Sequence, residues 1–180
     1  MIMTKYSCAL FLILAACQTT QLFAQKGENP PQTKEALEKA YKKRINQEYI
    51  NEVYIPKDLT DAFIRLNKLI DEPSRQKFKE VPEEEAARKL HFSLGRWISV
   101  NWGFYEGSRF SKFIRDIGID NPDDMARFVI ISYHRNLLRK PLDVKSQVTF
   151  YQEKRKKERE ERIKNGEVIG ETTRQRKKER

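Results

Sequence analysis

The stretch Leu90–Phe110, LHFSLGRWISVNWGFYEGSRF, decides how the rest of this 180-residue chain is arranged. It contains both tryptophans of the chain, one of the two histidines and three of the seven glycines. Its pattern predicts the second half of a helix, a tight aromatic loop and the start of the next helix. Gly95 lies inside the first of these helices, where glycine costs about 1 kcal/mol relative to alanine. We therefore expect another helix to cross closely at Gly95.

Helix signals continue on both sides of this stretch. Four predicted helices begin at residues that suit a helix N-terminus, because a side chain can accept hydrogen bonds from free backbone amides or because proline fits the first turn. These starts are Asp58, Pro82, Ser108 and Asn121-Pro122. The helix after Asn121 is apolar nearly all round and is predicted to be the most buried. The sequence therefore predicts an all-α fold, a small single-domain helical bundle over residues 53–151.

Residues 1–24 predict an N-terminal signal segment. Lys5 precedes an apolar run, Cys8–Ala16, which is too short to span a bilayer. Two processing sites remain open. One is cleavage after Ala24, and the other is a lipobox at residues 14–17, in which Cys17 would be lipidated. In either case the mature domain has no pair of cysteines, so no internal disulfide is expected.

Polar segments flank the predicted domain. Residues 25–52 predict a Gly/Pro-rich linker and an amphipathic helix whose pattern runs from Thr33 to Tyr49. Residues 152–180 predict a charged helix that fades into a disordered tail. The chain has a net charge of +10, and residues 151–180 contribute +5 of it, from twelve basic and seven acidic residues. A basic tail indicates nucleic-acid binding less strongly than a basic folded face, and export makes nucleic acid an unlikely partner.

No motif in the chain is typical of catalysis. His91 and His134 are the only histidines, and the predicted domain has no cysteine, so the sequence predicts no metal site and no cofactor. The sequence contains no phosphate-binding glycine loop. Glu106 has no evident partner carboxylate of the kind that glycosidases use. We therefore identify no catalytic residue and expect a non-enzymatic protein. A structural role is the favoured interpretation of His91, which is also kept as a candidate binding residue.

The aromatic loop, residues 102–109, is the predicted working surface of a binding or interaction module. Aromatic side chains stack on sugars and anchor peptides, although most aromatic residues belong to cores. The expected binding residues are Trp102, Phe104, Tyr105, Glu106, Ser108, Arg109 and His91. Whether the rings of the loop are exposed or buried stays open at this point. The expected partner is an envelope protein or a glycan. If the lipobox is the site that is processed, a lipidated Cys17 would also attach the protein to the membrane.

Two other functions remain as alternatives. One is a small envelope hydrolase with a pocket lined by His91, Glu106 and Arg109. The other is a structural protein whose basic tail binds an anionic surface by charge attraction. All three hypotheses place the protein in the bacterial envelope, either periplasmic or secreted, or anchored by a lipid.

Five strings of residues together resemble a known bacterial family, the domain of unknown function 6794. The strings are Leu90-His91-Phe92 with Leu94-Gly95 and Trp97-Ile98, then Asn101-Trp102-Gly103, Gly107-Ser108-Arg109, Pro122-Asp123-Asp124-Met125, and Ser132-Tyr133 with Arg135. The resemblance runs from about Tyr54 to Tyr151. This chain has Ser99 where the family usually has arginine, and Tyr105 where it has a second tryptophan. The resemblance implies a single small domain and no particular activity.

Overall fold

The computed structural model describes residues 33–166. The predicted signal segment, the lipobox with Cys17 and the tail beyond Gly166 therefore lie outside the described residues. The described chain is mostly helical, which confirms the prediction of a helical domain. Its elements are α1 Lys34–Arg44, β1 Tyr49–Ile50, β2 Val53–Tyr54, α2 Leu59–Leu69, α3 Glu72–Glu80, α4 Glu83–Leu90, α5 Arg96–Asn101, α6 Arg109–Asp116, α7 Pro122–Leu137 and α8 Val144–Lys164. A π-helical turn, His91–Gly95, joins α4 to α5.

The four predicted helix starts are present, and side-chain hydrogen bonds to the backbone explain three of them. The start at Pro82 has no side-chain cap. The Asp58 carboxylate accepts a bond from the Asp61 backbone N–H at 2.8 Å. Ser108 and Ser111 form a reciprocal capping box at the start of α6. The Asn121 side chain accepts from two backbone N–H groups of the first turn of α7, at 3.0 and 3.2 Å. These caps satisfy backbone donors that have no partner inside the helix.

Helix α7 is the centre of the fold, as predicted. Ten of its sixteen residues are buried. It contacts α2, α3, α4, α5, α6, α8 and the π-helical turn. A Cβ atom on Gly95 would lie 3.4 Å from Ile130 Cδ1 of α7. The prediction that a helix crosses closely at Gly95 is therefore confirmed.

One local prediction was wrong. Helix α1 ends at Arg44 and does not reach Tyr49, because Tyr49 pairs with Tyr54 in a short antiparallel hairpin. The turn of this hairpin uses positive φ angles at Asn51 and Glu52, 48° and 64°, as a two-residue turn between strands requires. The helix predicted to begin at Pro82 and to continue into the Leu90–Phe110 stretch is present from Glu83 to Asn101, and it contains the π-helical turn, which the sequence pattern did not indicate.

Candidate functional site

Two of the three aromatic rings in the loop belong to the core. Trp102 is 1% exposed and Phe104 is 0% exposed. Both rings pack against Phe110, with ring centroids 5.4 and 5.8 Å away. Ser108 is also fully buried, and its hydroxyl donates to the Trp102 carbonyl oxygen at 2.6 Å. These three predicted binding residues therefore hold the loop in place, and a partner cannot reach them.

Tyr105 and Glu106 form the accessible part of the loop. Tyr105 is 62% exposed, and its hydroxyl donates to Asp123 at 3.3 Å. Partial burial of the hydroxyl, together with the Asp123 carboxylate, raises the pKa of Tyr105. The Glu106 side chain is exposed, and its backbone carbonyl accepts from Arg44. Only these two side chains at the tip of the loop face solvent.

Helix α1 covers one side of the loop. Arg44 Nε donates to the carbonyl oxygens of Glu106 at 3.1 Å and Gly107 at 3.3 Å. Gly107 has a φ of +92°, and a Cβ atom there would lie 2.5 Å from Cδ2 of Tyr41. Arg115 donates to the Tyr41 hydroxyl at 3.0 Å. The absence of a side chain at Gly107 thus allows the Tyr41 ring to lie on the loop backbone.

Arg109 connects the start of α6 to the hairpin region. Its Nε donates to the Ile55 carbonyl oxygen at 2.8 Å, and it forms an ion pair with Glu48 at 3.0 Å. Its guanidinium carbon lies 5.0 Å from the centroid of the Tyr54 ring, which Arg65 also contacts at 3.6 Å. These contacts give Arg109 a structural role in this part of the fold.

His91 lies in a different environment from Glu106 and Arg109. It is half-buried, and its ring meets the exposed Phe92 edge to face at 4.9 Å. It lines a cavity of about 310 Å³ together with Arg88, Phe92, Asp123, Asp124, Arg127, Lys154 and Arg155. Neither Glu106 nor Arg109 contributes to this cavity. The structure brings His91 and Tyr105 towards the same residue, Asp123, but it does not assemble the predicted hydrolase pocket around His91.

Two basic residues of helix α8 form ion pairs with a buried residue of α7. Asp124 is almost fully buried at the start of α7 and forms ion pairs with Lys154, at 2.8 Å, and with Arg155. Tyr151 of α8 is 2% exposed. Two of the basic residues that the sequence assigned to an interaction tail therefore attach α8 to α7.

In residues 33–166, no cluster of three His, Cys, Asp or Glu residues could bind a metal ion. Within the same range no helix is both long and apolar enough to cross a membrane.

An apolar groove, which the sequence did not predict, lies between α3 and the segment α4–α5. Its volume is about 710 Å³. It is lined by Leu69, Ile70, Ser74, Lys77, Phe78, Val81, Ala86, Lys89, Leu90, Ser93, Leu94 and Trp97. Buried Phe78 and Ala86 belong to the core beneath it, whereas Leu69 is 56% exposed at its edge. The sequence pattern that bears on this groove is the apolar row Leu90, Leu94 and Trp97. Its helical spacing does not distinguish the wall of an open groove from a helix face packed on the core.

The π-helical turn forms part of the groove wall. The Arg96 backbone N–H donates to the His91 carbonyl oxygen, the i→i+5 bond that defines such a turn. Ser93 and Leu94, both within the turn, line the groove. Single π-helical turns inside α-helices are frequent at functional sites. Trp97 is the second residue after the turn, and its ring lies edge to face with Trp102, with ring centroids 5.9 Å apart.

Residues 55–137 match the family described as Domain of unknown function (DUF6794). This match confirms the predicted resemblance, and it covers the loop, the π-helical turn and every residue that lines the groove. No curated protein and no solved structure matches the chain.

Proposed function

We propose that this chain, which carries a DUF6794 domain at residues 55–137, is an exported, non-enzymatic binding module of the bacterial cell envelope. Its binding site is the apolar groove between α3 and α4–α5. The groove is the single observation that carries the proposal. Its ligand is an apolar molecule or an apolar part of a larger one.

The size and lining of the groove support binding. Ligand sites in proteins usually measure about 300–1,000 Å³ and are mostly apolar with a few polar groups. A groove of about 710 Å³, with two lysines and two serines among apolar side chains, fits this description.

The lining also argues for binding without catalysis. General acid–base chemistry needs a titratable side chain within hydrogen-bond reach of the reacting group, most often histidine or a carboxylate. The described lining contains neither histidine nor a carboxylate. The Ser93 hydroxyl donates to the Leu90 carbonyl oxygen at 3.4 Å, and among the described residues no hydrogen bond joins Ser74 or Ser93 to the two lysines of the groove.

In this proposal the aromatic loop is a secondary contact surface and not the main binding site. Tyr105 and Glu106 are its exposed residues and could form a second contact surface for an envelope protein or a glycan. Trp102, Phe104, Ser108 and Arg109 would support that surface from inside.

Export rests on the apolar run at residues 8–16 and on the two alternative processing sites. If Cys17 is lipidated, the protein should partition into a detergent phase, and Cys17→Ser should release it. A mature form that starts at Gln25 would contradict lipidation.

Intrinsic fluorescence tests the groove directly, because the chain has only two tryptophans. Trp97 lines the groove and Trp102 is its neighbour. Titration with the neutral dye N-phenyl-1-naphthylamine should increase dye emission and quench tryptophan emission. Ser93→Phe should weaken dye binding at least several-fold, because an added ring on this exposed position fills the groove. Val100→Phe is the matched control, since Val100 is exposed on α5 but does not line the groove. Absence of saturable dye binding, or equal binding by both variants, would refute the proposal.

A further inference from the structure

We propose that the occupant of the groove is a single acyl chain with an anionic head group, such as a fatty acid, and that Lys77 and Lys89 bind the head group. This inference rests on the proposed function, since it names the class of ligand for the same groove. The argument uses the charge of the groove rim, the chemistry of its interior and its size.

The charged groups at the groove are all cationic. Lys77 on α3 and Lys89 on α4 are the two charged residues among the described groove residues, and they stand on opposite walls. Both side chains are exposed, so their ammonium groups can meet a head group at the opening. Lys89 also forms an ion pair with Glu85 at 2.7 Å. An exposed pair of this kind contributes little to stability, so an anionic ligand can replace Glu85 as the partner of Lys89. An anionic head group therefore meets two cations, whereas a cationic head group is repelled.

The interior of the groove suits a hydrocarbon chain. Apart from the two lysines and the two serines, the lining consists of aliphatic and aromatic side chains. The long methylene stems of lysine pack against apolar surface while the ammonium group stays in water. A molecule that is apolar along its length and charged at one end matches this arrangement.

The size of the groove is sufficient for an acyl chain. The groove holds about 710 Å³, within the range of about 300–1,000 Å³ that is usual for sites of small ligands. An acyl chain is much thinner than an α-helix with its side chains, which is about 10–12 Å wide, so it can enter the groove and bury most of its surface.

Three probes with the same twelve-carbon chain and different head groups test this inference on the full chain. They are dodecanoate, dodecanol and dodecyltrimethylammonium, each titrated below its micelle concentration as a competitor of N-phenyl-1-naphthylamine. We expect dodecanoate to bind about tenfold more tightly than dodecanol, and dodecyltrimethylammonium to bind most weakly. The preference should decrease with added salt, because exposed charges are screened.

Lysine variants identify the residues responsible. The double variant Lys77→Gln/Lys89→Gln should lose the preference for dodecanoate and keep its affinity for dodecanol. Lys57→Gln/Lys145→Gln is the matched control, because both lysines are exposed and lie outside the groove. This control should retain the preference.

The remaining outcomes distinguish the two proposals. Equal affinity for the three probes, or an unchanged preference in the groove double variant, would overturn the inference and leave the binding module in place. Tighter displacement of the dye by an amphipathic Leu/Glu peptide would assign the groove to a protein helix and overturn the acyl chain. A dimer whose formation excludes the dye, seen by sedimentation at increasing protein concentration, would assign it to a second copy. Failure of every probe, the dye included, would refute the proposed function itself.

Discussion

Truncating the two neighbouring rings of the aromatic loop, one at a time, should lower the free energy of unfolding strongly at Phe104 and very little at Tyr105. Phe104 is 0% exposed and packs against Phe110. Removal of a fully buried phenylalanine ring costs about 3–5 kcal/mol, because apolar burial is lost and a cavity remains. Tyr105 is 62% exposed and makes one hydrogen bond, to Asp123 at 3.3 Å. Its truncation should therefore change stability by about 0.5 kcal/mol or less, as is usual at the surface.

Urea and thermal denaturation measure this difference. Phe104→Ala should lower the melting temperature by roughly 10–20 °C, on the usual scaling of melting temperature with free energy for a domain of this size. Tyr105→Ala should shift it by about 2 °C or less. Tyr105→Phe is the control that removes the hydroxyl and keeps the ring. A Phe104→Ala protein whose free energy of unfolding stays within about 1 kcal/mol of the parent would show that the ring is not in the core.

Two further substitutions test contacts that the loop and helix α4 make. Gly107→Ala places a Cβ atom against Tyr41 at a φ of +92°, so unfolding in urea should become easier by about 1–3 kcal/mol. Adding Tyr41→Ala should restore part of this loss, and an unchanged urea midpoint for Gly107→Ala would contradict the contact. Glu83 accepts two hydrogen bonds from Arg135, at 2.8 and 2.7 Å, which hold the pKa of the Glu83 carboxyl below its usual range. The stability that this pair contributes is therefore complete above the unfolded pKa of about 4.3. It is lost as the pH falls through the lower pKa of the folded state. Glu83→Gln should therefore cost about 1–2 kcal/mol at pH 7 and less at pH 3 in urea titrations, and a difference that grows on acidification would refute this.

Local signals made much of the helical fold predictable from sequence. Asp58, Ser108 and Asn121 each mark a helix start through a bond to backbone within three residues, so no distant contact is needed to recognise them. Gly95 was also informative, because a glycine inside a helix has a cost that a close helix crossing can explain. Tyr49 was misassigned because its pairing with Tyr54 outweighed the helical spacing of its apolar neighbours.

The candidate site was harder to predict because it depends on contacts between distant segments. Phe104 and Tyr105 are adjacent aromatic residues in the sequence, and only the position of Phe110 decides which ring is buried. The row Leu90, Leu94 and Trp97 has the same spacing whether it meets a neighbouring helix or an open groove. The groove exists because α3 stands away from this row, and that distance has no local sequence signal.

The burial of Tyr151 shows that the folded domain extends beyond the residues that match the family. Tyr151 lies fourteen residues beyond the last residue of the family match, Leu137, yet it is 2% exposed. A fragment limited to residues 55–137 would lack this ring and would leave the carboxylate of Asp124 without Lys154 and Arg155. The boundaries of the shared sequence are thus narrower than the boundaries of the stable structure. Any exchange, fusion or excision of this domain has to include α8 as far as Arg155 to keep its core closed.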